Sequence, residues 1–257
     1  MTNFHTTLGS GPDLVLLHAF PSCHELWLQA AERLAQRYRV TLYDLRGLGN
    51  TPPGSNIIRM SDHAADLEKI CKQVGIQKAV FAGSSIGGYI LFEFWRTFRD
   101  RVRALVLCDT RSTADTDEAR TTRLRSAEEV LQRGTAQFIE ANLQKLLGET
   151  TRRNRIDIVD TARHTMRLST PAGIAAVQRG MAERPDSTPT LATIDVPTLV
   201  LGGEEDTVTP LAEMRGLQSR IAGSTFVPIT RAGHLAVFEN TAESTKAIRG
   251  FLDRLRD

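Results

Sequence analysis

AVFAGSSIGGY (79–89) is the stretch from which the architecture of this chain can be read. It opens with an apolar run short enough for one buried strand and closes on residues that begin a helical pattern. Between the two, Gly83-Ser84-Ser85-Ile86-Gly87 satisfies G-x-S-x-G. In that setting the serine occupies a strained strand-to-helix turn, and the flanking glycines remove Cβ atoms that would collide with the neighbouring strand and helix. The motif centres on Ser85 and not on Ser84, so Ser85 is the predicted nucleophile. The bland alternative for Gly83 and Gly87 is a tight turn and nothing more.

On either side of this stretch, short apolar runs recur: LVLLH (14–18), VTLYDL (40–45), ALVLCD (104–109), TLVLGG (198–203) and TFVPIT (225–230). With 79–83 they read as buried parallel strands. Segments 24–37, 61–74, 86–99, 210–221 and 241–256 carry apolar residues at three- and four-residue spacing, as covering helices require. The alternation predicts an α/β fold with a doubly wound, mostly parallel sheet. Residues 113–190 break the rhythm. They hold charged amphipathic helices punctuated by Gly134, Gly148, Pro171 and Gly180, and read as a helical cap inserted into a core formed by 1–112 and 191–257.

A serine hydroxyl is a poor nucleophile at neutral pH and needs a histidine within hydrogen-bond reach. His234, in RAGHLAVFEN, follows the last predicted strand and precedes the last helix, which puts it on a loop at the carboxyl edge of the sheet. His18 ends a strand at the same edge but belongs to the His18-Ala19-Phe20-Pro21 turn. His5, His24, His63 and His164 read as exposed or structurally bonded. The base in turn needs an acid that fixes its tautomer. LGGEEDTVTP offers Glu204, Glu205 and Asp206, of which Asp206 lies furthest past the strand; Asp109, one strand earlier, is the rival. The order Ser85, Asp206, His234 differs from the chymotrypsin and subtilisin orders. Developing oxyanion charge would meet the backbone amides of Ile86 and Phe20.

The 257 residues carry a formal charge of +2, which offers no general drive toward nucleic acid or anionic membrane. The three cysteines, Cys23, Cys71 and Cys108, lack CxxC spacing and are odd in number, so a reducing compartment is the simpler reading. The opening MTNFHTTLGSG has neither a charged nor an apolar leader region, and a soluble, cytoplasmic protein is expected. Monomer and homodimer remain equally open.

Taken together, LVLLHAFPS, YDLRGLGNT, GSSIGGY, LGGEEDTVTP and RAGHLAVFEN resemble, in order, five landmarks of the α/β-hydrolase superfamily. The resemblance implies the α/β-hydrolase fold, Ser85, Asp206 and His234 as a triad, and Phe20 and Ile86 as oxyanion donors. It makes Asp44 and Arg46 structural ties of the turn beside the site, and puts Trp27 either at the pocket mouth, touching substrate, or in helix packing. Two departures stand out: Ala19 replaces the usual glycine of the oxyanion turn, and the leading hairpin is shortened. The cap resembles those of small carboxylesterases and 3-oxoadipate enol-lactonases. Such a site would cleave a small ester through an acyl-enzyme with no cofactor or metal. The alternatives are an enol-lactonase, a carbon–carbon bond hydrolase or perhydrolase with the same triad, and a non-catalytic receptor. Cap positions Leu124, Leu131, Phe138, Ile139 and Leu168 face either substrate or core, with core the better reading for most. The cap arginines Arg120, Arg123, Arg125 and Arg167, which alone would suggest an acidic substrate, are interleaved with acids and read as a solvated face.

Overall fold

The computed structural model describes residues 3–255; the expected core boundaries at 1 and 257, and the last residue of the expected 241–256 helix, lie outside them. Among these residues a seven-stranded sheet forms from β1 (His5–Leu8), β2 (Asp13–Leu17), β3 (Arg39–Tyr43), β4 (Ala79–Ser84), β5 (Val102–Cys108), β6 (Thr198–Gly203) and β7 (Thr225–Ile229). Its order is β1-β3-β2-β4-β5-β6-β7. Every pairing is parallel except β1 with β3, where His5 faces Tyr43 and Leu8 faces Val40. β4 and β6 are buried throughout, because helices cover both faces, and this is why they read as unbroken apolar runs.

Two strands depart from the expectation. β1 has no apolar run: HTTL lies at an edge and is only partly covered. It joins β3 and makes no hairpin with β2. β7 was expected to be buried, yet only Ile229 is, because the strand closes the opposite edge. Pro228 sits there without breaking the sheet, since an edge strand has one side on which a missing N–H leaves no partner short.

The helices are α1 (Leu28–Leu34), α2 (Met60–Gln73), α3 (Ile86–Phe98), α4 (Asp117–Arg133), α5 (Ala136–Leu146), α6 (Glu149–Asn154), α7 (Ile156–Arg167), α8 (Pro171–Ala182), α9 (Thr188–Leu191), α10 (Leu211–Gln218), α11 (Ala236–Glu239) and α12 (Thr241–Arg254). A 3-10 turn, His24–Trp27, precedes α1. Alternate strand residues point to opposite faces. Leu17, Tyr43, Phe81, Leu105 and Val200 meet α2, α3 and α10. Leu16, Leu42, Val80, Val106 and Leu201 meet α1, α11 and α12. None of the described helices is long and apolar enough to cross a membrane.

Helices α4 to α9 lie between β5 and β6, with no strand among them. Gly134 ends α4, Gly148 precedes α6 and Pro171 begins α8, as the sequence suggested. Gly180 does not break a helix; it lies inside α8, where a Cβ would come within 1.6 Å of the Ile58 carbonyl oxygen. There α8 approaches the 45–59 loop backbone to backbone, and Ile58 N–H donates to the Ala176 carbonyl at 3.1 Å. Of the apolar positions singled out in this segment, Ile139 is core, Leu168 is half-buried and Phe138 faces a pocket. Leu124 and Leu131 are 41 % and 43 % exposed, so core burial fails for both.

Candidate active site

Between β4 and α3 the backbone of Ser85 adopts φ 54° and ψ −111°, a region that side chains rarely enter. Two bonds hold it there. Ser85 N–H donates to the Cys108 carbonyl at 2.8 Å, and the Thr110 hydroxyl donates to the Ser85 carbonyl at 2.8 Å. A Cβ on Gly83 would fall 2.5 Å from the Gly87 carbonyl carbon, so the turn closes only with glycine at that position. The neighbouring Ser84 hydroxyl is buried and meets no partner among the described residues.

Three side chains from three loops converge. The Ser85 hydroxyl lies 2.8 Å from His234 Nε2, and His234 Nδ1 lies 2.8 Å from Asp206 Oδ2. Asp206 also accepts Val208 N–H at 2.7 Å, Thr209 N–H at 3.0 Å and the Thr209 hydroxyl. Burial pushes the Asp206 carboxyl up, but His234 and the Thr209 bonds outweigh it and hold the group below its ordinary value. The acceptor thus stays ionised beside Nδ1–H, and Nε2 keeps its lone pair toward the serine.

The rival acid has a different task. Asp109 accepts Gly203 N–H at 2.9 Å and Ala236 N–H at 3.1 Å, tying β6 to the first residue of α11. Burial, followed by the Asp206 charge, drives its pKa well up. Glu205 turns to Thr150 and accepts both its N–H, at 2.7 Å, and its hydroxyl.

Glu239 was not foreseen. Its carboxylate accepts Gly233 N–H at 2.9 Å and Leu235 N–H at 3.2 Å, the amides on either side of His234. It also accepts Gly148 N–H at 2.8 Å, from the turn between α5 and α6. His234 N–H itself donates to the carbonyl of Leu146, the last residue of α5, at 2.8 Å. A carboxylate closing the otherwise apolar AVFE turn was the one available signal in the sequence.

Ile86 opens α3, so its amide has no carbonyl one turn back to bind. Phe20 follows β2, and its ring lies 5.9 Å from Phe138, edge to face. Leu45 N–H donates to His18 Nε2 at 2.9 Å, and His18 Nδ1–H reaches the Ala19 carbonyl at 3.0 Å, so the ring is neutral; burial lowers its pKa to about 4. Asp44 accepts His24 N–H and Nδ1–H at 2.7 Å and Asn50 N–H at 2.8 Å, so it does tie its turn. Arg46 instead pairs with Asp66 of α2.

Two expectations are corrected. Trp27 does not reach the pocket: it is 0 % exposed and its indole N–H donates to the Leu17 carbonyl at 2.9 Å, which anchors the turn before α1 to the sheet. His63 is neither exposed nor bonded; it is buried, and neither ring nitrogen meets a partner among the described residues.

Cys23, His24 and Asp44 bring ligating atoms within 4.8 Å of one another. The Asp44 oxygens are already filled by N–H donors, and burial pushes the Cys23 thiol up to about 12, so the set suits a hydrogen-bonded turn better than a cation. Above Ser85 and His234 opens a pocket of about 730 Å³ whose wall includes Phe20, Tyr89, Phe138 and Met181.

The family model for the alpha/beta hydrolase fold matches residues 12–241. A thermophilic esterase from Thermogutta terrifontis, solved with malate bound, superposes with a TM-score of 0.96 at 38 % identity, over 99 % of this chain and 94 % of that one. A pimeloyl-[acyl-carrier protein] methyl ester esterase from Aeromonas salmonicida is 27 % identical over 255 residues, 95 % of this chain and 96 % of that protein. The 3-oxoadipate enol-lactonase 1 of Acinetobacter baylyi is 24 % identical over 249 residues, 96 % of this chain and 91 % of its own.

Proposed function

Because the chain belongs to the α/β-hydrolase family, we propose that it cleaves a small carboxylic ester through an acyl-enzyme on Ser85. The observation that carries this reading is the continuous relay of two 2.8 Å contacts from Ser85 through His234 to Asp206. Named esterases among the similar proteins support it.

In this mechanism His234 Nε2 takes the Ser85 proton as Oγ attacks the ester carbonyl. Asp206 holds the imidazole in the tautomer that allows this and stabilises the imidazolium. The oxyanion is met by Ile86 N–H, at the positive end of α3, and by Phe20 N–H. His234 then protonates the departing alkoxide. Water activated by the same nitrogen hydrolyses the acyl-enzyme, returning the proton to Ser85. A lactone follows the same path, with the alcohol still tethered to the acyl group. The helices of 113–190 act as a cap that shapes the pocket.

The test uses p-nitrophenyl esters of graded acyl length and a panel of small lactones, with wild type beside Ser85→Ala. Turnover by wild type and its loss in the variant, by about 10⁴-fold or more, is expected. Folded wild type that binds small molecules but turns over none of them would replace this reading with a receptor or a carbon–carbon hydrolase.

A further inference from the structure

Resting on the hydrolase reading, we infer that the pocket is built for esters that carry a carboxylate, recognised between Lys145 of α5 and Arg111 just beyond β5. Both side chains line the pocket that Ser85 and His234 open into. Among the described residues Lys145 has no carboxylate within ion-pair distance; the charges acting on it are Arg123, Arg111 and Asp115. Asp115 is already held by Arg123 at 2.6 Å and by Arg184 at 2.7 Å, which leaves little of its charge for Lys145. Arg111 is anchored by the Val208 carbonyl and by Glu213 at 3.1 Å, and its buried Nε–H meets no acceptor among the described residues.

Lys145, without an acid of its own, is repelled by Arg123 and Arg111. An anion entering the pocket beside Lys145 relieves that repulsion. Burial and the two arginines also lower the Lys145 pKa, as expected of an ammonium short of counter-charge. Exposed Glu118 and Glu129 of α4 line the same pocket, but neither lies within ion-pair distance of Lys145. Lys145 is exposed where it lines the pocket, and it differs from Glu140 of the same helix, which pairs with Arg163 at 2.8 Å, in having no partner of opposite charge within ion-pair distance among the described residues.

The experiment compares kcat/KM, in a pH-stat, for monomethyl glutarate against methyl butyrate, and for O-acetyl-lactate against ethyl acetate. The first pair carries the charge on the acyl side and the second on the alcohol side. Wild type is expected to prefer the charged member of at least one pair. The charged-to-neutral ratio should fall about tenfold in Lys145→Gln, invert in Lys145→Glu, and stay put in Lys246→Gln, a charge control at an exposed position of α12. No charged preference in wild type, or a ratio indifferent to Lys145, overturns the inference while leaving the hydrolase reading intact. If no ester is turned over, calorimetry with monomethyl glutarate decides: binding weakened about tenfold by Lys145→Gln upholds anion recognition without hydrolysis, and no Lys145-dependent binding ends it.

Discussion

At the scale of single residues, two buried aspartates near one histidine have opposite duties, and their hydrogen bonds say which is which. Asp206 lies on Nδ1 and is held ionised; Asp109 braces the Gly203 and Ala236 amides and is pushed toward its neutral form. Asp206→Asn should lower kcat by about 10⁴-fold, because the amide presents a donor where the imidazole needs an acceptor. Asp109→Asn should leave kcat within about tenfold and cost about 1–3 kcal/mol of stability, since one backbone amide loses its acceptor. Steady-state kinetics and urea unfolding on the two proteins separate these outcomes. Position past the strand end favoured Asp206 in the sequence, but no pattern in sequence reveals which carboxylate meets the ring. Trp27 illustrates the same limit: an aromatic near the site serves core or pocket equally well until its indole partner, the Leu17 carbonyl, is seen.

At the scale of elements, the parallel strands and the turn carrying Ser85 were legible because burial on both faces forces continuous apolar runs. Edge strands escape that rule. β1 shows polar residues on a partly covered ribbon and gives no run to detect. Gly180 misled for a related reason: a glycine inside a helical pattern reads as punctuation, whereas here it admits the backbone of the 45–59 loop. Glu239 was hidden because its backbone partners come from both sides of His234 and from a turn some ninety residues earlier. It is a positioning residue, acting on the base through the flanking amides. Glu239→Gln offers one carbonyl oxygen where a carboxylate offered two, and should lower kcat about 10–30-fold with KM nearly unchanged, for a stability cost of about 1–3 kcal/mol. The kcat loss must persist well below the melting midpoint; restored activity there would reduce Glu239 to a merely structural bond.

At the scale of the whole molecule, two buried histidines weaken the fold in mild acid. Burial lowers both His18 and His63 from 6.5 to about 4. Around His63 stand Asp66, Asp62, Arg46 and His18; around His18 stand Asp44 and His24. The unfolded chain takes up these protons below pH 6.5 while the folded chain refuses them until about pH 4. Stability is therefore present above 6.5 and drains away as pH falls through that window, by about 2 kcal/mol per histidine at pH 5. Among the described residues His63 meets no hydrogen-bond partner, so His63→Leu should remove its share: the drop in Tm between pH 8 and pH 5 should shrink by about 4–8 °C. An unchanged drop would show that His63 takes no part in the acid transition.

The junction of α5 and α6, from Leu146 to Thr150, supplies the carbonyl that holds His234 and the amides that engage Glu205 and Glu239. The helical insertion is thus not a cassette that can be traded between scaffolds, because its replacement would carry off part of the mounting of the base. An exchange of the segment between β5 and β6 would therefore have to keep Leu146, Gly148 and Thr150 in place, whereas side chains along the pocket wall can change without touching these bonds.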